Sequence, residues 1–184
     1  MPYRAPVGEF RFLYQHIVGM SQVSATERFA EATAETVEAI LTEAAKLSET
    51  VLAPLQRAGD KHPAKLENGI VRTSPGFAEG YRAIVDGGWV SIAASPEYGG
   101  MGLPMVLTTA VNEMMGSACL SLQLNPLMTQ GQIEALEHHA SDALRALYIP
   151  KLVSGEWCGT MNLTEPQAGS DVGALRTRAE PLGS

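Results

Sequence analysis

The sequence predicts a mainly α protein: an all-helical N-terminal bundle followed by the first strands of a β middle domain. Apolar residues recur every three or four positions in successive segments up to residue 153, which is the helical period. From Trp157 the period drops to two, as in a half-buried strand. Clusters of glycine, proline and small polar residues at 59–75 and 87–104 separate the periodic stretches. The expected boundary falls near Ser154–Gly155, with a helical domain over 1–154 and the beginning of a β domain over 155–184.

In chain order, Phe10, Leu13, Tyr14 and Ile17 give a short helix over 9–20 that Gly19 should end. Ser24 and Glu27 have the spacing of a capping box, so a long helix is expected to follow directly. Its stripe is Phe29, Thr33, Val37, Ile40, Ala44, Leu47, Val51 and Leu55, while Glu31, Glu35, Glu38 and Glu43 form a solvated face. Pro54 should kink or end it by removing an amide. Glu67-Asn68-Gly69 ahead of Ile70-Val71 suggests a small hairpin, and Phe77 to Val85 a helix closed by Gly87-Gly88.

Pro104 suits the first turn of an apolar helix running through Met105, Leu107, Val111, Met114 and Ala118. A second helical stretch covers 120–139, and a third runs from 141 to 148 with Ser141 as N-cap. Trp157, Gly159, Met161 and Leu163 then alternate with Cys158, Thr160, Asn162 and Thr164, and Leu175, Thr177 and Ala179 begin a second strand.

Composition narrows the function. At 184 residues and 45% hydrophobic content the chain can bury a core, and a net charge of -7 leaves no basic footprint for nucleic acid. Cys119 and Cys158 form neither a disulfide framework nor a zinc motif, so a reducing, cytoplasmic setting is expected. No apolar run approaches the roughly 20 residues that cross a bilayer, and the first 20 residues carry no cleavable leader pattern.

Three stretches could carry chemistry. The glycines of YGGMGLP lack the Lys-Ser/Thr of a phosphate loop, so a tight turn is expected there. Glu134 and His138 share a helix face without a third ligand, so no metal is expected. TEPQAGSD, between the two expected strands, offers Thr164, Ser170 and free amides around Gly169, a polar loop able to bond a flat, acceptor-rich edge.

Leu163 to Asp171, read as L-T-E-P-x-A-G-S-D, resembles the flavin-contacting signature of the acyl-CoA dehydrogenase family. GGW at 87–89, PEYGGMGLP at 96–104 and Tyr148 to Leu152 ahead of Gly155-Glu156 resemble further family segments, so the resemblance runs from about residue 75 to the end. It implies a helical N-terminal domain, a β-barrel-like middle domain and a C-terminal helical bundle, with FAD held between the last two and a neighbouring subunit. Carried over by position, Met161, Leu163 and Thr164 would lie against the isoalloxazine ring, and Gly169 and Ser170 close to the cofactor. Ser170 would also meet the acyl-CoA. Asn162 departs from the small or apolar residues common there; by alternation its side chain should point away from the ring.

The reaction implied is α,β-dehydrogenation of an acyl-CoA thioester, with an electron-transfer flavoprotein as acceptor and a homodimer or homotetramer as the assembly. The base carboxylate of the family is expected beyond Ser184, which leaves no catalytic residue in this chain. Family proteins are well over twice as long, so the 184 residues are expected to be a truncated portion, inactive alone and weak or silent in FAD binding, with unpaired strand edges. The N-terminal region resembles the larger branch, which acts on fatty acyl or methylmercaptopropionyl-CoA substrates, and Leu107, Leu124 and Met128 are candidates for the wall of the acyl site, with core packing explaining them equally well. An acyl-CoA oxidase or flavin monooxygenase relative, or a non-catalytic helical scaffold, would retain the same residues.

Overall fold

Helix-ending and helix-bending residues set the order of elements in the computed structural model, which describes residues 2–182. Helix α1, Val7–Leu13, continues through one wide π turn at Tyr14–Val18 and stops at Gly19, whose φ of 68 breaks the repeat as the sequence predicts. The chain restarts as α2, Met20–Ser24, and a 3-10 turn at Glu27–Phe29. Ser24 is therefore the end of a helix and caps nothing: its hydroxyl donates to the Ala32 carbonyl at 2.6 Å. The cap of the long helix is Thr33, in extended conformation, whose Oγ1 accepts from the Thr36 amide at 3.2 Å. A serine with helical backbone bonds carbonyls, so the Ser24–Glu27 spacing matched without the backbone that a capping box requires.

Helix α3, Ala34–Leu47, runs through a second π turn at Ser48–Leu52 into α4, Ala53–Lys61. Pro54 lies in the first turn of α4, directly after the π turn, and the helical path continues past it, so it does not end the rod. Val37, Leu41, Ala44, Ala45 and Leu52 bury their side chains. The acidic face is only partly solvated. Arg11 Nε donates to Glu38 at 2.8 Å, and Glu49 accepts from Arg4 at 2.8 Å and from the Ala5 amide at 3.0 Å, tying the N-terminal arm to α3 and the turn after it.

The expected hairpin forms from β1, Lys65–Glu67, and β2, Ile70–Arg72, antiparallel, with Lys65 opposite Arg72. Asn68 (φ 52) and Gly69 (φ 78) supply the left-handed pair that a two-residue turn demands. Helix α5, Phe77–Asp86, leads into 87–104. That glycine-rich stretch folds back on itself: Met101, Gly102 and Leu103 donate to Ser91, Ala94 and Ile92 carbonyls at 2.9–3.0 Å. A Cβ on Gly100 would lie 2.1 Å from the Ala94 oxygen, so glycine here answers a close backbone approach.

Helix α6, Met105–His139, breaks at Cys119 (φ -155, ψ 84), where the sequence reading divides it. Asn112 Nδ2 donates to Gln130 Oε1 at 2.8 Å although the two are 18 residues apart, a span of about 27 Å on a straight helix. The arms 105–118 and 120–139 therefore fold back on each other. Gln123 donating to Asn112 at 2.8 Å, and Gln130 donating to the Trp89 carbonyl at 3.2 Å, complete an amide chain across the fold. Helix α6 packs on α3, and Leu107, Val111, Met114 and Met115 of its first arm are almost wholly buried. Tyr3 and Tyr14 reach this arm through hydroxyls donating to the Met114 and Val106 carbonyls at 3.0 and 2.9 Å.

Helix α7, Asp142–Val153, is longer than predicted because Pro150 sits inside it, and Ser141 precedes it without a side-chain cap bond. Gly155 (φ 68) turns the chain out. The segments read as strands, 157–164 and 175–179, carry no ladder; beyond the hairpin, the strand-type pairing among the described residues is the single bridge Glu165–Ala168. Period-two patterning prepares a strand, but a strand forms only when a neighbour accepts its hydrogen bonds.

Candidate functional site

The approach to the TEPQAGSD loop is built from helix side chains upward. Trp157 donates its amide to the Lys151 carbonyl at 3.0 Å, and its ring lies 5.7 Å from that of Tyr148 with the Lys151 ammonium 4.6 Å above it. Tyr81 of α5 donates to the Gly155 carbonyl at 3.3 Å and accepts from the Cys158 thiol at 3.1 Å. Burial foremost, then that thiol bond, holds the Tyr81 phenol neutral well above the usual tyrosine range.

One residue on, the buried amide of Gly159 donates to Thr129 Oγ1 at 3.0 Å, and Gln132 donates to the Thr160 carbonyl. Thr129 is fully buried. A Cβ on Gly159 would meet the Gln132 amide end at 2.5 Å, so a larger residue here would displace the side chain that bonds the Thr160 carbonyl. An open groove of about 880 Å3 lies beside it, lined by Gln132, Leu136, Tyr148, Leu152, Trp157 and Thr160.

Past Thr160 the chain leaves the helices. Met161 is 65% exposed and Leu163 47%, while Thr164, Gly169 and Ser170 are exposed and a Cβ on Gly169 would touch nothing. The five sequence-predicted site residues thus fall on one outward segment. Met161, Leu163 and Thr164 occupy its extended part, and Gly169 and Ser170 its turn. Among the described residues, the amides of Met161, Leu163 and Thr164 bond no protein acceptor. Apolar side chains next to free N–H donors and a hydroxyl fit a planar heterocycle with acceptors along its edge.

The loop closes through a residue that sequence reasoning passed over. Glu165 and Ala168 exchange backbone bonds of 3.0 Å in both directions. The Glu165 carboxylate then accepts from the amides of Arg176 (3.0 Å) and Thr177 (2.8 Å), from the Thr177 hydroxyl and from the Gln167 side chain. Led by the Thr177 hydroxyl and followed by the two amides, these donors bring its pKa down to about 2. The signal was present in the sequence, a carboxylate inside the motif and a threonine twelve residues on, but spacing across a loop names no partner.

Other expected sites resolve differently. Leu107 is fully buried in the core and cannot wall an acyl site, whereas Leu124 is 46% exposed. Glu134 and His138 line a cavity of about 290 Å3 with Arg28, Thr108 and Gln130, and among the described residues no three His, Cys, Asp or Glu converge on a metal position. Among the same residues no helix is long and apolar enough to cross a membrane.

The sequence model of the family described as acyl-CoA dehydrogenase, N-terminal domain, matches residues 29–156. The chain is 43% identical over 181 residues to the 3-methylmercaptopropionyl-CoA dehydrogenase of Ruegeria pomeroyi, covering 98% of this chain and 31% of that protein. It is 32% identical over 148 residues to a butyryl-CoA dehydrogenase of Syntrophomonas wolfei, covering 79% of this chain and 24% of the relative. A broad-specificity linear acyl-CoA dehydrogenase of Mycobacterium tuberculosis is 27% identical over 184 residues, covering 96% and 29% respectively. The chain spans under a third of the length of these curated relatives. With a helical fold of this order and a family match over most of its helices, the chain belongs to the acyl-CoA dehydrogenase family, as an N-terminal portion.

Proposed function

We propose that this chain is the N-terminal part of an FAD-dependent enzyme that dehydrogenates an acyl-CoA thioester between its α and β carbons, and that residues 155–184 begin the domain that meets the flavin. The observation that carries the reading is the segment 161–170. In a family member, it presents two exposed apolar side chains, free amides and two hydroxyls on one outward stretch. Bound there, FAD supplies the two-electron acceptor for the reaction. Met161 and Leu163 offer the ring an apolar surface that keeps water from it, and Thr164 offers a hydroxyl and its amide to the ring's polar edge. Gly169 allows close approach of the loop backbone, and Ser170 bonds both the cofactor and the CoA side of the substrate.

The names of the relatives, which include 3-methylmercaptopropionyl-CoA and butyryl-CoA dehydrogenases, support a short acyl chain as substrate. An electron-transfer flavoprotein as acceptor, a homo-oligomeric assembly and a cytoplasmic setting belong to the same reading. The test is the full-length protein, purified and scanned for bound flavin, then mixed anaerobically with 3-methylmercaptopropionyl-CoA, butyryl-CoA or a long-chain acyl-CoA. Loss of the oxidised flavin's visible absorption with a short-chain thioester, and slow return in air, is expected. Protein without flavin refutes the reading, and rapid return in air transfers it to an oxidase.

A further inference from the structure

We propose that Glu165 is a positioning residue for the flavin-facing loop: its carboxylate clasps the returning arm at Arg176 and Thr177 and so fixes the shape of the turn before any cofactor arrives. The inference rests on the flavin reading above and adds a role to a residue that touches no ring in it.

Four donors converge on the two carboxylate oxygens, namely two backbone amides, one hydroxyl and one side-chain amide. An ionised carboxylate has about four lone-pair sites and no donor of its own, so it satisfies this set, whereas a glutamine would turn an NH2 toward some of the same N–H groups. Between Glu165 and Thr177 the chain makes two short turns, the bridged turn Glu165–Ala168 and the 3-10 turn Val172–Ala174, and neither a longer helix nor a ladder joins its two arms. Of the side-chain bonds that reach across the loop, Gln167 to the Ala174 carbonyl is long at 3.4 Å, so the carboxylate dominates closure.

The entry of the same loop is fixed separately. Thr129 and Gln132 hold residues 159 and 160 on α6, upstream of the clasp. A loop fixed at entry and exit presents its free amides in one arrangement, and binding then spends less of its free energy on ordering them.

The experiment uses the full-length protein and its Glu165→Gln variant. Three readouts apply: the FAD dissociation constant of the stripped apoprotein, amide exchange at Arg176 and Thr177, and the apoprotein melting temperature. Expected for Glu165→Gln are FAD binding weakened at least about tenfold, exchange at both amides accelerated at least about tenfold, and a melting temperature within about 2 °C of wild type, because the clasp is on the surface. FAD affinity within about twofold of wild type, or unchanged exchange, overturns the inference.

If Glu165→Gln fails to fold, Thr177→Val removes one donor and Thr177→Ser restores it. Weaker FAD binding in the first and wild-type binding in the second support the clasp, and equal affinity in the valine variant overturns it. A wild-type protein that takes up no FAD sinks the flavin reading and this inference together. Wild-type uptake matched by the glutamine variant sinks this inference alone.

Discussion

At the scale of single residues, hydrogen bonds fix the candidate site, some at the surface as at Glu165 and one between groups shut off from solvent. Thr129 makes the latter: its hydroxyl is the acceptor for the buried Gly159 amide. Thr129→Val keeps the shape and orphans that donor, so a loss of about 1–3 kcal/mol in urea unfolding is expected. Gly155 is constrained differently, since its φ of 68 and a Cβ only 2.3 Å from Val85 Cγ2 leave no room for a side chain. Gly155→Ala is expected to lower the melting temperature and to release residues 155–158 to faster amide exchange.

Glu165 carries a pH signature. Its carboxyl ionises at about 2 in the folded chain against an ordinary 4.5, so the clasp is fully held above about 4.5 and opens as pH falls toward about 2, a local change that leaves the melting of the helical bundle nearly unmoved. An NMR titration of this carboxyl should find its midpoint well below that of exposed glutamates; a midpoint at the ordinary value contradicts the clasp. Neither Thr129 nor Glu165 was legible as a site residue, because the sequence displays the donor and acceptor types without the distances that pair them. Met161, Leu163, Thr164, Gly169 and Ser170 were legible as a group because they lie in one uninterrupted motif, and the fold keeps them on one outward segment.

Elements add constraints that no residue carries alone. The break at Cys119 turns one apolar stretch into two arms, and the amide chain Gln123–Asn112–Gln130–Trp89 joins them. Asn112→Leu removes the centre of this chain and leaves the buried Gln123 and the half-buried Gln130 short of partners. Chemical denaturation should register a loss of about 1–3 kcal/mol. The β1–β2 hairpin behaves oppositely, with all six strand residues exposed. Gly69→Val should abolish its cross-strand amide protection while leaving the melting temperature of the bundle nearly unchanged.

The helix periods were read correctly where one face is buried throughout, as in α5 and both arms of α6. They were misread at Ser24, where a local spacing imitated a cap, and at α7, which was read as ending at 148 and runs to Val153. Period alone does not report the backbone conformation on which capping depends.

Across the whole molecule, stability rests on the contact of α3 and α6. Met114, fully buried there, is the position to truncate: Met114→Ala should cost about 2–5 kcal/mol and broaden the unfolding transition seen by circular dichroism. The same contact places the second arm of α6 so that Thr129 and Gln132 face the departing chain. The core therefore governs the site from a distance, by orienting an arm and not by touching a ligand.

The sequence by itself determined the helical class, the turn at Asn68-Gly69 and the break near Cys119, because each follows from local periodicity or from a residue's own backbone limits, while the 163–171 motif was read by its resemblance to a family. Only the tertiary structure decided which hydroxyl received Gly159, that Glu165 closed the loop, and that the alternating segments stayed without a ladder. Those outcomes depend on partners far away along the chain, and hydrogen bonds between distant groups exist only once packing has brought them within about 3 Å.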